Sequence, residues 1–216
     1  METPLARLFK ETNIINRIKA KLPKLFDIAE LESSRAGKIG MEVGSVREQI
    51  LIGLLVSVFD ESNVETDIPI TKYEEDVKVF REPISIKTIT GNSGVKVVWT
   101  VDAQKALQFF KSYQPSCDIL LAVIDWNNSK KIKSGLFLIP KSVQNNTLRE
   151  LGRNNYLKLP KVGTNPRGVE ISKNAISEML NDKETYHIDI DWKKEATKFK
   201  TYKEKFPPVF DWWSAG

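Results

Sequence analysis

The spacing of apolar residues changes character along the chain, and each change marks an element. Leu5, Leu8, Phe9, Ile14, Ile15, Ile18, Leu22, Leu25, Phe26, Ile28 and Ala29 recur at short helical intervals, which predicts helix from Leu5 to Glu32. Pro23 has no backbone N–H and predicts a break or kink inside that span. The string SSRAGKIGMEVGS that follows carries glycines at 37, 40 and 44 and predicts a tightly turned loop. Ser45, with Glu48 three residues on, has the form of a capping box and predicts the start of an apolar helix running through Val58.

Beyond that helix the pattern shortens. The runs NVETDIPIT (63–71), EDVKVF (75–80) and PISIKTI (83–89) are rich in β-branched residues and predict an antiparallel meander. Gly91 to Gly94 predicts a turn before the strand VKVVW (95–99), and a helix is expected to end near Tyr113. DILLAVIDW (118–126) and GLFLIP (135–140) are almost continuously apolar, as strands covered on both faces are. Residues 152–168, with Pro160, Gly163 and Pro166, read as a long loop or irregular strand, followed by a helix over 172–180 and a charged segment over 191–205. The expected fold class is α/β, a single domain with a central mixed β-sheet flanked by helices. Its parts are N-terminal helices and a loop (1–44), a central unit (45–145), and a second loop with C-terminal helices (146–216).

Composition narrows the chemistry. With 216 residues, 41% of them hydrophobic, the chain is sized for one globular unit. The longest apolar run, Ile50 to Phe59, is too short to span a bilayer and is interrupted by Gly53 and Ser57. The N-terminal segment lacks an apolar signal core and Cys117 has no second cysteine to pair with, so a reducing cytoplasm is expected. Cys117 adjoins a buried-looking strand and reads as structural. His187 is the one histidine, which excludes sites built from several imidazoles and reads as a surface or capping residue. Phosphate-cradling glycine motifs are absent. The net charge of +5 selects no partner, but its distribution is uneven. Lys130, Lys131, Lys133, Lys141, Arg149, Arg153, Lys158, Lys161 and Arg167 stand against only Glu150 and Glu170, a local +7 suited to a polyanion or to a solvated lysine-rich surface.

What remains is a set of carboxylates and a lysine. Asp76 stands early in one predicted strand, Ser85 and Lys87 share one face of the next, and Glu48 begins the preceding helix. A hairpin would bring Asp76 to Lys87, where a carboxylate can hold Mg2+ and a lysine can orient water or offset charge on a phosphoryl group. Spacing alone leaves a surface ion pair as the commoner outcome.

The order of helix with Glu, strand with Asp, strand with S-x-K, helix and buried strands resembles the PD-(D/E)xK nuclease core of type II restriction endonucleases. The strings LESSRAGKIGMEVGSVREQ (31–49), VETDIPITKYEEDVKVFREPISIKTITG (64–91), VVWTVDAQKAL (97–107), PSCDILL (115–121) and LPKVGTNPRGVEIS (159–172) resemble the ThaI family of restriction endonucleases. The resemblance implies Asp76 as central metal ligand, Lys87 as motif lysine and Glu48 as helix carboxylate, with Glu42 a competitor for the last role. Ser85 departs from the motif, which has an acid there; Asp102 or Glu82 is then a candidate replacement ligand. Also implied are a Mg2+ cofactor, a homodimer in a prokaryotic cytoplasm, and hydrolysis of double-stranded DNA at the palindrome CGCG with a blunt cut and 5′-phosphate ends. DNA-contact candidates are Arg35, Lys38, Lys161, Asn165 and Arg167, because guanine is read most often by Arg or Lys. Met41, flanked by glycines and cations, is a candidate wedge between base steps. A repair nuclease of the same core and a non-catalytic DNA-binding protein are the competing expectations.

Overall fold

A computed structural model describes residues 3–35, 41–69, 72–100, 102–129, 132–160 and 168–194. Its centre is a six-stranded mixed sheet of β1 (Val64–Glu65), β2 (Val77–Val79), β3 (Glu82–Thr90), β5 (Asp118–Ile124), β6 (Gly135–Ile139) and β9 (Tyr186–Asp189), in that spatial order. β3 and β5 run parallel and every other neighbouring pair is antiparallel. All five residues of β6 and six of the seven of β5 are buried, as their unbroken apolar character predicts.

Two apolar layers close over the sheet. On one face lie α1 (Arg7–Lys10), α2 (Thr12–Arg35) and α3 (Met41–Phe59), packing Leu8, Ile18, Leu22, Leu51 and Leu54 against Ile84, Ile86, Leu120 and Leu136. On the other lie α4 (Ala103–Ser112), α5 (Lys141–Leu151), α6 (Arg153–Tyr156) and α7 (Lys173–Asn181), which bury Val143, Tyr156 and Met179 against Leu121 and Phe137. A second, three-stranded sheet of β4 (Val95–Val98), β8 (Val169–Ile171) and β7 (Leu157–Lys158) joins that layer.

Several expectations change. Pro23 does not end a helix: α2 is continuous across it, because Leu22, Leu25 and Phe26 are all buried and their packing outweighs one lost backbone bond. α3 begins at Met41, so Ser45 is an exposed interior position and not the N-cap. Among the described residues of the first expected strand, 63–69, only Val64 and Glu65 pair, with Val79 and Lys78. The β2–β3 hairpin turns on Phe80 and Arg81, both at positive φ (50° and 71°), with Phe80 set edge-on to Phe59 at 5.9 Å. β4 leaves the meander to pair with β8, and Gly168 makes this possible: at φ 89°, a Cβ there would lie 1.8 Å from the Val98 carbonyl oxygen. α5 and β9 were not foreseen. His187 lies in β9, half-buried, its ring stacked on Phe137 at 4.3 Å and Nε2 3.0 Å from the Ser134 carbonyl oxygen. Cys117 is buried, and its thiol is pushed up to about 12 chiefly by that burial. No helix among the described residues is long and apolar enough to cross a membrane.

Candidate active site

The hairpin delivers the central residues. Asp76 precedes β2, and its amide donates to the Ile84 carbonyl at 3.0 Å, the last rung before the two chains diverge. From there its Oδ2 accepts three hydrogen bonds: from the Ile86 amide at 2.6 Å, from Lys87 Nζ at 2.7 Å and from the Ser85 hydroxyl at 3.2 Å. Oδ1 receives no hydrogen bond from the described residues. One carboxylate oxygen is thus spent on orientation while the other stays available, and the Asp76 side chain is about one-third exposed (31%).

Glu48 completes the group from α3. Its carboxyl is pushed up to about 7, first by burial, with Asp76 adding repulsion and Lys87 opposing both. The three residues therefore share one local field. Two carboxylates, one of them held back from ionising, form a site that a hard cation would suit, since oxygen ligands match Mg2+ and a positive ion favours the charged form of Glu48. Among the described residues no cluster of three or more His, Cys, Asp or Glu gathers.

Ser85 is buried and its hydroxyl serves Asp76 as a donor. Asp102 is the N-cap of α4, its Oδ1 accepting from the amides of Gln104 and Lys105. Glu82 is exposed at the tip of the hairpin and, three residues from Ser85, points to the opposite face of β3. Neither Asp102 nor Glu82 makes a hydrogen bond or ion pair with Asp76, Ser85, Lys87 or Glu48 among the described residues.

Sequence reasoning overlooked Arg47. This side chain is buried beside Glu48 and bolts three elements together: one nitrogen donates to Thr90 Oγ1 at the end of β3 (3.0 Å) and another pairs with Glu30 of α2. Glu30 also accepts from Trp126 Nε1 (2.6 Å) and Lys194 Nζ (2.7 Å). Burial lowers the Arg47 pKa and Glu30 opposes that shift. The clue in the sequence is an arginine set just before the apolar run Ile50 to Phe59 of the same helix.

Of the DNA-contact candidates, Lys38, Lys161, Asn165 and Arg167 lie outside the described residues. Arg35 ends α2 and Met41 and Glu42 open α3, so none of the three sits in the loop where the glycines placed them. The basic stretch is also partly internal. Lys133 Nζ donates to the Leu180 carbonyl near the end of α7 at 2.6 Å, and Arg153 donates to the carbonyls of Phe110 and Tyr113 at the end of α4. These two cations cap helix C-termini, where negative dipole ends accumulate.

The family model described as "Restriction endonuclease ThaI" matches residues 8–215. A solved structure described as a restriction endonuclease in complex with substrate DNA is similar at TM-score 0.83 and 50% sequence identity, over 99% of this chain and 100% of that one. None of the curated proteins matches.

Proposed function

Because this chain belongs to the ThaI family of restriction endonucleases, we propose that it is a Mg2+-dependent type II enzyme that hydrolyses DNA phosphodiesters at a short palindrome. The observation that carries this reading is the triple hold on Asp76 Oδ2 by Lys87, Ser85 and the Ile86 amide, with Glu48 in the same field. The solved relative at half identity, described with its substrate DNA, supports duplex DNA as the substrate class.

Asp76 and Glu48 are the residues that would hold Mg2+, which when bound supplies Lewis-acid stabilisation of phosphoryl charge and a more acidic water. Lys87 carries an ammonium fixed against Asp76, positioned to orient the attacking water and to offset charge on the phosphoryl oxygens. Ser85 contributes by orienting Asp76. Hydrolysis in line with the leaving oxygen needs no enzyme-bound intermediate and leaves a 5′-phosphate. The family resemblance makes CGCG, cut blunt, the target to test first. A palindrome is read with duplicated contacts by a twofold homodimer.

Arg35, Lys38, Lys161, Asn165 and Arg167 are the proposed base and phosphate contacts, and Met41 the proposed wedge between base steps. Incubating the protein with plasmid and Mg2+ and sequencing the ends tests the whole reading. Cleavage at one palindrome is expected. Magnesium-independent binding without cleavage would favour a DNA-binding protein, and cuts confined to damaged or branched DNA a repair nuclease. Fluorescence of a base analogue at the target step should fall back toward the stacked value with Met41→Ala, and no change would remove the wedge.

A further inference from the structure

Two residues before Asp76 lies a buried acid that the nuclease motif does not use. Glu74 is 8% exposed, in the turn leading to β2. Its Oε1 accepts from the Tyr113 hydroxyl at 2.7 Å, and its Oε2 accepts from the Ser116 hydroxyl at 2.6 Å and the Ser116 amide at 3.1 Å. The Cys117 thiol donates to the Glu74 carbonyl at 3.5 Å. Every one of these donors is neutral and comes from the link between α4 and β5. Tyr113 is itself wedged between the rings of Phe109 (5.3 Å) and Tyr156 (6.2 Å), so the hydroxyl it offers is fixed.

The position of this clamp matters more than its strength. The Asp76 backbone is tied forward to β3 through a single rung, its amide on the Ile84 carbonyl, while the side chain depends on Ser85, Ile86 and Lys87 for its aim. Backward, the turn is tied to the root of β5 through Glu74. β5 is the parallel neighbour of β3, with Ser85 opposite Ile119 and Lys87 opposite Leu121. The clamp therefore references Asp76 to the strand beside the lysine that it must meet.

We propose that Glu74 is a positioning residue for Asp76: held by Tyr113 and Ser116, its carboxylate sets where the turn presents Asp76 to Lys87. Without it, the turn shifts, the Asp76 backbone moves about its one rung, and the hydrogen bonds of Oδ2 with the Ile86 amide and Lys87 Nζ weaken. The inference rests on the reading of Asp76 as the central carboxylate of a nuclease site. A clamp that served stability alone would lower the melting temperature and leave the folded enzyme unchanged.

The experiment compares Glu74→Gln, Tyr113→Phe and Asp76→Ala, with Ile18→Val in the α2 core, which touches neither Glu74 nor its donors through a hydrogen bond, as a control for lost stability. Two readouts need no metal: hydrogen exchange of the Ile86 amide, and modification of Cys117, the one thiol of the chain, by a disulfide reagent. At a temperature where all variants are folded, Glu74→Gln is expected to speed both and to lower kcat roughly 10–100-fold with DNA affinity unchanged. Tyr113→Phe should do the same to a smaller degree, and it decides the question if Glu74→Gln does not fold. Wild-type Ile86 exchange and kcat in Glu74→Gln, or an equal loss in Ile18→Val, overturns the proposal. Cleavage by Asp76→Ala would sink the nuclease site itself, whereas inactive Asp76→Ala beside fully active Glu74→Gln would sink only the positioning role.

Discussion

Lys87 Nζ lies 2.7 Å from Asp76 Oδ2, on an oxygen that the Ile86 amide and the Ser85 hydroxyl also reach. The ammonium is therefore not the carboxylate's only support, and removing it should leave Asp76 in place. Lys87→Ala is expected to lower kcat roughly 10²–10³-fold, the usual cost of one charge-stabilising donor, while DNA affinity stays near wild type. Single-turnover cleavage and a binding titration measure the two quantities separately. Cleavage at the wild-type rate would exclude Lys87 from the chemistry.

Glu48 sets function against stability. Its folded-state pKa, about 7, stands above the ordinary 4.5, so between those values the folded chain keeps a proton that the unfolded chain has released. Stability falls as pH rises through that window, and above it the full penalty of the buried charge applies. Glu48→Gln removes the penalty. The metal-free variant should gain roughly 1–3 kcal/mol at pH 8 and nothing at pH 4 in urea titrations, while losing Mg2+-dependent cleavage. Equal stabilities at pH 8 would remove Glu48 from the buried, charge-crowded position.

Arg47 is expected to matter through packing. Arg47→Met keeps a long apolar stem over Phe26, whose ring centroid lies 5.6 Å from the guanidinium carbon, but leaves Thr90 without its donor. Glu30 retains Trp126 and Lys194, which limits the damage. A loss of roughly 2–4 kcal/mol is expected, toward the lower end of what breaking a buried ion pair costs. The denaturation midpoint reads this directly, and a loss below about 0.5 kcal/mol would show the bolt to be unimportant.

How much of this was legible in the sequence depended on how far apart the partners lie. Asp76, Ser85 and Lys87 meet across one tight hairpin, so strand alternation and a short turn suffice to place them. The buried strands β5 and β6 announce themselves by unbroken apolar character. Ser45 misled because a cap is a local preference of about 1 kcal/mol, less than the gain from four more residues of helix. β4 pairs with β8 over 70 residues away, and nothing in VKVVW distinguishes that partner from β3. Glu74 and Arg47 are charged residues that composition assigns to the surface. What buries them are partners 39 and 43 positions away, Tyr113 and Thr90, and no periodicity carries that information.

His187 supplies a pH dependence independent of the active site, since β9 is the far edge of the sheet from β2 and β3. Burial lowers its pKa from the ordinary 6.5, with Lys133 and Lys19 acting in the same direction and the Ser134 carbonyl and Asp189 opposing. Between the folded and ordinary values the unfolded chain binds the extra proton. The stabilising contribution of neutral His187 is therefore complete above about pH 6.5 and is lost as pH falls through 6.5 toward the folded-state value. His187→Phe keeps an aromatic ring against Phe137 and cannot titrate. Melting temperatures of the two proteins should diverge steadily below pH 6.5 and run parallel above it, and parallel curves throughout would show that His187 protonates equally in both states.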